Sequence, residues 1–249
     1  MRILAFGAGI GVAAVSFTAA AEPANYYRFE DGSPGAPLTT MIDSGKAMHN
    51  GTLLAGAPTY SSDVPVTIIP KTGQPNTLSL SLGYNDAIVV PYTFAFQGSK
   101  ATLEFWVNPT QTTYEGDLFW CTLNTGDTNR FAIGVGGGGY PFINYRDPNG
   151  VLHSVGNSPV AIPGSAWSYL AFVKNDNVYS IYINGPSTNN KTTLVSQVTD
   201  TNPNLPNATG WTVNGRIAEQ PWPQDQFSGL VDEVRLSYRA LRPGAFLVK

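Results

Sequence analysis

The chain of 249 residues is poor in the residue types that carry redox and metal chemistry, with one cysteine, Cys121, and two histidines. A single cysteine excludes an intrachain disulfide, a cysteine-based metal cluster and a redox pair. Charged residues are also scarce, at 12% against roughly 25% in typical soluble domains. The formal net charge is -3. Because phosphate binding needs a clustered positive field, the sequence predicts no nucleic-acid partner.

Turn-forming and hydrophobic residues are abundant, with 26 glycines, 19 prolines and 42% hydrophobic residues. Short runs alternate apolar and polar residues between clusters of Gly, Pro, Asn and Asp, which is typical of half-buried strands. Helical periodicity is almost absent. Two hairpins are predicted, one around the Asn-Asp-Asn turn at 175–177 and one around the four glycines at 136–139. The chain is therefore predicted to be all-β, a single large antiparallel β-sandwich or jelly roll.

The first 21 residues have the pattern of a secretory signal. Arg2 precedes an apolar stretch over 3–15, and small residues end the segment at Ala21, before Glu22. A membrane anchor is the alternative, but the apolar run is shorter than the roughly 20 residues that a spanning helix needs. We therefore expect residues 1–21 to be a signal peptide and 22–249 the mature domain, secreted to the periplasm or the extracellular medium. No transmembrane segment is expected after cleavage, and the oligomeric state cannot be read.

Five segments, in this order and spacing, carry a resemblance that covers nearly all of the mature chain. They are residues 26–32 (YYRFEDG), 43–52 (DSGKAMHNGT), 102–109 (TLEFWVNP), 167–185 (WSYLAFV to YING) and 227–241 (FSGLVDEVRLSYRAL). Together they resemble the LamG-like, or concanavalin A-like lectin/glucanase, jelly-roll family. The resemblance implies two curved antiparallel sheets packed face to face. It constrains function less, because that fold hosts lectins, adhesion modules, glycoside hydrolases and polysaccharide lyases.

No catalytic residues are predicted. Glycoside hydrolysis generally needs two carboxylates that flank one bond, and glucanases of the family place acids at alternate positions of one strand. The nearest pattern here is Glu115 and Asp117, but Phe119 and its neighbours follow where another acid is needed. We therefore expect a secreted carbohydrate-binding or adhesion module whose partner is a polysaccharide or glycoconjugate. A divergent polysaccharide-degrading enzyme and a structural cell-surface subunit are the alternatives.

A metal site is a further hypothesis. Strict alternation would put Asp232 on the apolar face that carries Leu230, Val234 and Leu236, where an unpaired carboxylate is costly. A bulge could turn Asp232 outward, or backbone donors or a cation could compensate it. The resemblance implies a structural Ca²⁺ between the first and last strands, and the residues at the corresponding positions are Glu30 or Asp31, and Asp232. A metal-free, hydrogen-bonded corner that involves Arg28 or Arg235 is the equal alternative.

The tryptophans divide into two predicted groups. Trp106 and Trp167 lie in alternating strands and are predicted to be buried. Trp222 is flanked by prolines in a loop and is the first candidate for an exposed sugar-stacking ring, with Trp120 and Trp211 as further candidates. A rigid loop packed over the core would give the same sequence around Trp222.

Overall fold

A computed structural model describes residues 24–112, 116–121, 128–207, 210–214 and 227–248. Within these ranges the chain forms two antiparallel sheets, and short 3₁₀ helices lie at Ala95–Gln97, Pro186–Thr188 and Pro243–Ala245. None of the helices in the described ranges is long and apolar enough to cross a membrane. The predicted signal peptide lies outside the described residues, so it stays a prediction.

Within the described residues, each of the two sheets contains eight strands. In spatial order, sheet A comprises β14 (Thr193–Thr199), β13 (Val178–Asn184), β12 (Ser168–Asn175), β7 (Lys100–Pro109), β16 (Gly229–Ser237), β5 (Ser79–Leu82) and β4 (Thr59–Ser61), with β1 (Asn25–Tyr27) also paired to β16. Sheet B comprises β11 (Leu152–Asn157), β10 (Tyr140–Arg146), β9 (Arg130–Gly136), β8 (Gly116–Cys121), β15 (Trp211–Val213), β6 (Ala87–Val90), β3 (Gly51–Ala55) and β2 (Thr40–Met41). The prediction of an all-β antiparallel sandwich is confirmed.

The main core lies between the two sheets and follows from alternation along the strands. Successive side chains of a strand point to opposite faces, so every second residue of each strand enters the core. These inward residues include Leu103, Phe105 and Val107 of β7, Leu170 and Phe172 of β12, Phe131, Ile133 and Val135 of β9, and Trp211 and Val213 of β15.

Both predicted hairpins are present. The turn between β12 and β13 contains Asp176 with φ 54°, a left-handed conformation that Asp tolerates. The glycine run joins β9 to β10, and Gly138 and Gly139 have φ of 83° and 86°. This tip is not a free loop, because the Ile162 amide donates to the Gly139 carbonyl at 2.8 Å.

Two other segments of the protein pack over the outer face of sheet A, which we call the covered face. A second apolar cluster lies there and joins Tyr26, Trp106 and Tyr169 of the strands to Ile69 and to Phe246 and Leu247 near the end of the chain. The two covering segments also contact each other, since the Lys71 amide donates to the Leu247 carbonyl at 3.2 Å. The strands of sheet A are therefore apolar on both faces along much of their length.

The outer face of sheet B is different over β9, β10 and β11. Tyr140 is 46% exposed and Leu152 is 51% exposed, while Ser154 and Asn157 are also exposed. We call this surface of β9–β11 the open face. The open face leaves aromatic, aliphatic and amide groups accessible to solvent.

Candidate functional site

The first and last strands pair as the family resemblance implies, and a bulge interrupts the last one. Tyr26 of β1 faces Arg235 of β16. The pairing of β16 with β7 shifts between Asp232 and Arg235, and Glu233 has φ 52°. An extra residue at a bulge reverses the side-chain alternation. Val231 and Val234 consequently both face the main core, whereas Asp232 lies opposite Trp106 in the β7 register, on the covered face.

The predicted position of Asp232 on one face with Val234 and Leu236 is thus wrong, and the bulge that we considered as an alternative is what the structure contains. Asp232 is nonetheless fully buried. Its Oδ2 accepts from Asn76 Nδ2 at 2.7 Å, and its Oδ1 accepts from the Glu233 amide at 2.8 Å. Burial raises the pKa of Asp232 well above its usual range. The Asp232 carboxylate is therefore held by neutral donors.

The two arginines considered as partners of Asp232 pair with other acids. Arg28 Nε lies 3.1 Å from Glu233 Oε1, and Arg235 pairs with Glu104. Glu104 also accepts from the Tyr169 hydroxyl and from the Leu247 amide. Burial raises the pKa of Glu104 even though Arg235 opposes that shift. The covered face thus contains a buried, hydrogen-bonded ion pair next to the segment around Leu247.

The two opening acids have different surroundings. Both oxygens of Glu30 accept hydrogen bonds from residues that follow Asn76: Oε1 from the Thr77 amide at 2.8 Å and Oε2 from the Thr77 hydroxyl at 2.5 Å. The Glu30 charge is close enough to raise the pKa of Asp232. Asp31 is exposed, and its pKa is raised by partial burial and by Glu30. Glu30 and Asp232 therefore both accept hydrogen bonds from the segment that begins at Asn76, whereas Asp31 is exposed to solvent.

The oxygens around Asp232 fit a hard cation in their chemistry. Asn76 Oδ1 is buried and has no hydrogen-bond partner among the described residues, although its Nδ2 donates to Asp232. An unpartnered amide oxygen beside a buried carboxylate, with Glu30 nearby, is the donor type that Ca²⁺ takes. In the described ranges, however, no group of three or more His, Cys, Asp or Glu residues is arranged to hold a metal. Any ion there would need amide and backbone oxygens to complete its coordination.

The predicted ligand-binding tryptophans have different outcomes. Trp211 is 1% exposed and its ring packs against Phe94 with centroids 5.6 Å apart, so its prediction as an exposed sugar-stacking ring is wrong. Side chains alternate along β15, so Trp211 and Val213 enter the main core while Thr212 lies on the other face of sheet B. Trp120 pairs in register with Thr212 and Ala132, but its side chain is outside the described part. Trp222 lies outside the described residues. Both remain predictions.

The prediction that two tryptophans are buried is confirmed for Trp106 and only in part for Trp167. Trp106 is 7% exposed, but it lies under the covering segments rather than between the sheets. Trp167 is half-buried at the edge of the same cluster, and its Nε1 donates to Asp63 Oδ1 at 2.9 Å. The Trp106 ring is therefore shielded from solvent, whereas the Trp167 ring is only partly covered.

The open face contains a depression that sequence reasoning missed. Its volume is about 360 Å³. The depression lies where Gly136 of β9 faces Tyr140 of β10, because a side chain at Gly136 would occupy that space. The lining residues are Gly136, Tyr140, Phe142, Asn144, Leu152, Ser154, Asn157 and Ser158.

The described lining residues combine an aromatic ring with hydrogen-bonding groups and include no carboxylate. Asn144 Oδ1 accepts from Arg130 Nη1 at 2.9 Å, and Asn157 Nδ2 donates to Ser154 Oγ at 3.0 Å. These bonds fix the orientation of the amides, so their remaining donors and acceptors have defined positions. A shallow site with one accessible ring and several oriented amides and hydroxyls suits a polyhydroxylated, uncharged ligand.

The sequence contains one signal for this face. Over 140–146 the apolar residues Ile143 and Tyr145 enter the main core, while Tyr140 and Asn144 alternate with them on the other side. Aromatic residues thus occur on both sides of β10. Alternation alone could not tell which ring is accessible.

The chain belongs to the concanavalin A-like lectin/glucanases superfamily, whose sequence profile matches residues 82–245. The two-sheet fold and the β1–β16 closure described above agree with that membership. No curated protein sequence matches significantly.

Several solved structures share the fold at low identity. Domain 4 of AbnA, a GH43 extracellular arabinanase from Geobacillus stearothermophilus in complex with arabinotriose, has a TM-score of 0.63 and 19% identity, over 92% of this chain and 98% of that one. The binding domain of botulinum neurotoxin serotype D/C has a TM-score of 0.58 and 10% identity, over 89% and 50% of the two chains. The Ruminococcus gnavus IT-sialidase CBM40 has a TM-score of 0.53 and 11% identity, over 68% and 94%.

Proposed function

We propose that the protein is a carbohydrate-binding module that binds an oligosaccharide on its open face. The single observation that carries the proposal is the depression over β9–β11, where the exposed Tyr140 ring lies beside the amides of Asn144 and Asn157. A sugar presents an apolar ring face and a rim of hydroxyls, which match an aromatic ring bordered by amides. The absence of a carboxylate from this lining favours binding over glycosidic cleavage, which uses paired acids.

The structural neighbours support this proposal. The structural match to AbnA domain 4 covers nearly all of both chains, and that domain was solved with arabinotriose. The R. gnavus neighbour is a carbohydrate-binding module. Their low identity to this chain leaves the particular sugar open. We therefore take arabinotriose, the neutral oligosaccharide with which AbnA domain 4 was solved, as the first probe.

The test is a glycan-array screen of the purified protein, followed by a reducing-sugar assay on each glycan that binds. Binding without release of reducing ends supports a module. Release of reducing ends would instead favour the alternative of a divergent polysaccharide-degrading enzyme. If Asp117→Asn then abolished that release, the expectation that the Glu115 and Asp117 pattern is inactive would also be wrong.

We further propose that the protein is exported and that Ca²⁺ binds beside Asp232, with Glu30 and Asn76 Oδ1 as further oxygens. Signal-like residues 1–21 support export, and the unpartnered Asn76 oxygen supports the metal. Amino-terminal sequencing of the protein from culture medium is expected to begin at Glu22 or within a few residues of it. An intact Met1 on the exported protein would contradict the predicted cleavage.

A further inference from the structure

A second groove lies at the edge of the covered face, on the opposite side of the sandwich from the open face. Its volume is about 560 Å³, larger than the depression on the open face. The groove lies over β12, β13 and β14, beside the covering segment around Leu247. Its lining residues are Lys100, Val173, Asn175, Val178, Ser180, Tyr182, Gln197 and residues 239–243.

Positive charge is concentrated in this groove although the whole chain is negative. Lys100, Arg239 and Arg242 line it, and none of its described lining residues is Asp or Glu. All three of these residues are exposed. In a chain of formal net charge -3, three cations without a neighbouring acid in the lining create a local field that attracts anions.

The backbone that carries the two arginines is fixed to the sheet. The Thr102 hydroxyl donates to the Arg239 carbonyl at 2.7 Å, and the Leu241 amide donates to Thr102 Oγ1 at 2.9 Å. The Arg242 carbonyl accepts from the Ala245 amide at 2.8 Å, which closes the following 3₁₀ turn. The arginine side chains therefore extend from a rigid edge, and less conformational entropy is lost when they bind a ligand.

The floor of the groove supplies a different kind of contact. Tyr182 is half-buried there, and Gln197 Nε2 donates to Ser180 Oγ at 3.1 Å. A ring, an amide and a hydroxyl can contact a sugar, while the guanidinium groups at the rim suit the bidentate geometry of a carboxylate. The described lining of the depression on the open face has a ring, amides and hydroxyls but no cation.

We propose that this groove is a second binding site, for an oligosaccharide that carries carboxylates. Lys100, Arg239 and Arg242 bind the carboxylates, and Tyr182, Ser180 and Gln197 contact the sugar rings. The site does not depend on the open face, so it can bind whether or not the open face binds a neutral sugar.

The experiment is calorimetric titration of the whole protein with tetragalacturonate, and with neutral galactotetraose and a heparin tetrasaccharide as comparisons. The Tyr140→Ala variant, in which the open face is impaired, is expected to bind tetragalacturonate and not galactotetraose, and to bind more weakly when sodium chloride rises from about 50 mM to about 500 mM. Arg239→Gln with Arg242→Gln should weaken binding by at least about tenfold. Lys46→Gln with Lys191→Gln removes the same charge at exposed positions elsewhere and should change the Kd less than about twofold.

Three outcomes would overturn the proposal. They are no binding of tetragalacturonate at millimolar concentration, equal binding of galactotetraose by the Tyr140→Ala variant, and equal weakening by the two double variants. Tighter binding of the heparin tetrasaccharide than of tetragalacturonate would overturn the assignment to carboxylates. Tyr140→Ala on the open face should leave tetragalacturonate binding unchanged, so failure of this site and failure of the proposed function are distinguishable.

Discussion

The outer faces of the two sheets show how one sandwich can use its surfaces in two ways. On the covered face, the segments around Ile69 and Leu247 pack over Trp106 and Tyr169, and the Leu247 amide donates to the buried Glu104 carboxylate. On the open face, Tyr140 and Asn157 remain accessible to solvent. The comparison indicates that substitutions on the covered face should affect stability, whereas substitutions on the open face should affect binding.

The largest effect is expected from the buried ion pair of the covered face. Glu104→Gln removes the charge that compensates Arg235, which is 4% exposed. Breaking one partner of a buried pair typically costs about 3–5 kcal/mol of unfolding free energy. The measurement is urea unfolding of the variant against wild type. The double variant Glu104→Leu with Arg235→Met is the control and should lose less, because no charge is then left unpaired. A single variant as stable as wild type would show that the covered face does not depend on this pair.

A second large effect is expected at Asp232 if Ca²⁺ binds there. An ion that binds only the folded state, at a concentration about a hundred times its Kd, stabilises by about 2.7 kcal/mol. Thermal melts should therefore show a melting temperature several degrees lower in EDTA than in calcium. Asp232→Asn should lower the melting temperature in calcium and lose most of the response to EDTA. Identical wild-type melts in calcium and EDTA would favour the metal-free corner made by Asn76 and the Glu233 amide.

A smaller, pH-dependent effect is expected at Lys174, a buried cation between the sheets whose Nζ donates to the Phe96 carbonyl at 2.8 Å. Burial lowers the pKa of Lys174 from 10.5 to about 8. Between these values the unfolded chain binds the proton and the folded chain does not, so this residue makes stability rise with pH. Lys174→Met removes that contribution. The stability of the variant relative to wild type should therefore fall as the pH of urea unfolding is raised from 8 to 10.5. A constant difference would contradict the lowered pKa.

The smallest effect on stability is expected on the open face. Tyr140→Ala and Asn157→Ala truncate exposed side chains, so each should change the unfolding free energy by no more than about 0.5 kcal/mol. Urea unfolding checks this expectation alongside the Glu104 variant. A loss as large as that of Glu104→Gln would mean that the open face is also part of the structural core.

Most of the fold could be predicted from alternation, because inward positions such as Phe105 and Phe172 are apolar in strict period. The side on which Asp232 lies could not, because the reversal depends on a bulge at Glu233 that no glycine marks. Trp211 shows a second limit. Its strand spans three residues, too few for alternation to distinguish the core side from the solvent side.

The open face escaped prediction for a different reason. Both outer faces contain aromatic residues at alternating positions, with Trp106 on the covered face and Tyr140 on the open face. Which face is accessible depends on where the segments around Ile69 and Leu247 fold back, and those long-range contacts are not encoded in local periodicity. An aromatic residue at an alternating position of a strand therefore has the same sequence pattern whether its ring is buried on the covered face or accessible on the open face.

The most direct test of the central claim compares two exposed tyrosines. Tyr140 lies on the open face and is 46% exposed, and Tyr238 follows β16 and is 50% exposed. Calorimetric titration with the tightest neutral glycan from the array should give a Kd at least about tenfold weaker for Tyr140→Ala, since loss of an aromatic stacking contact typically costs more than 1 kcal/mol. Tyr238→Ala should bind as wild type does. Undiminished binding by Tyr140→Ala, or equal weakening by both variants, would contradict carbohydrate binding on the open face.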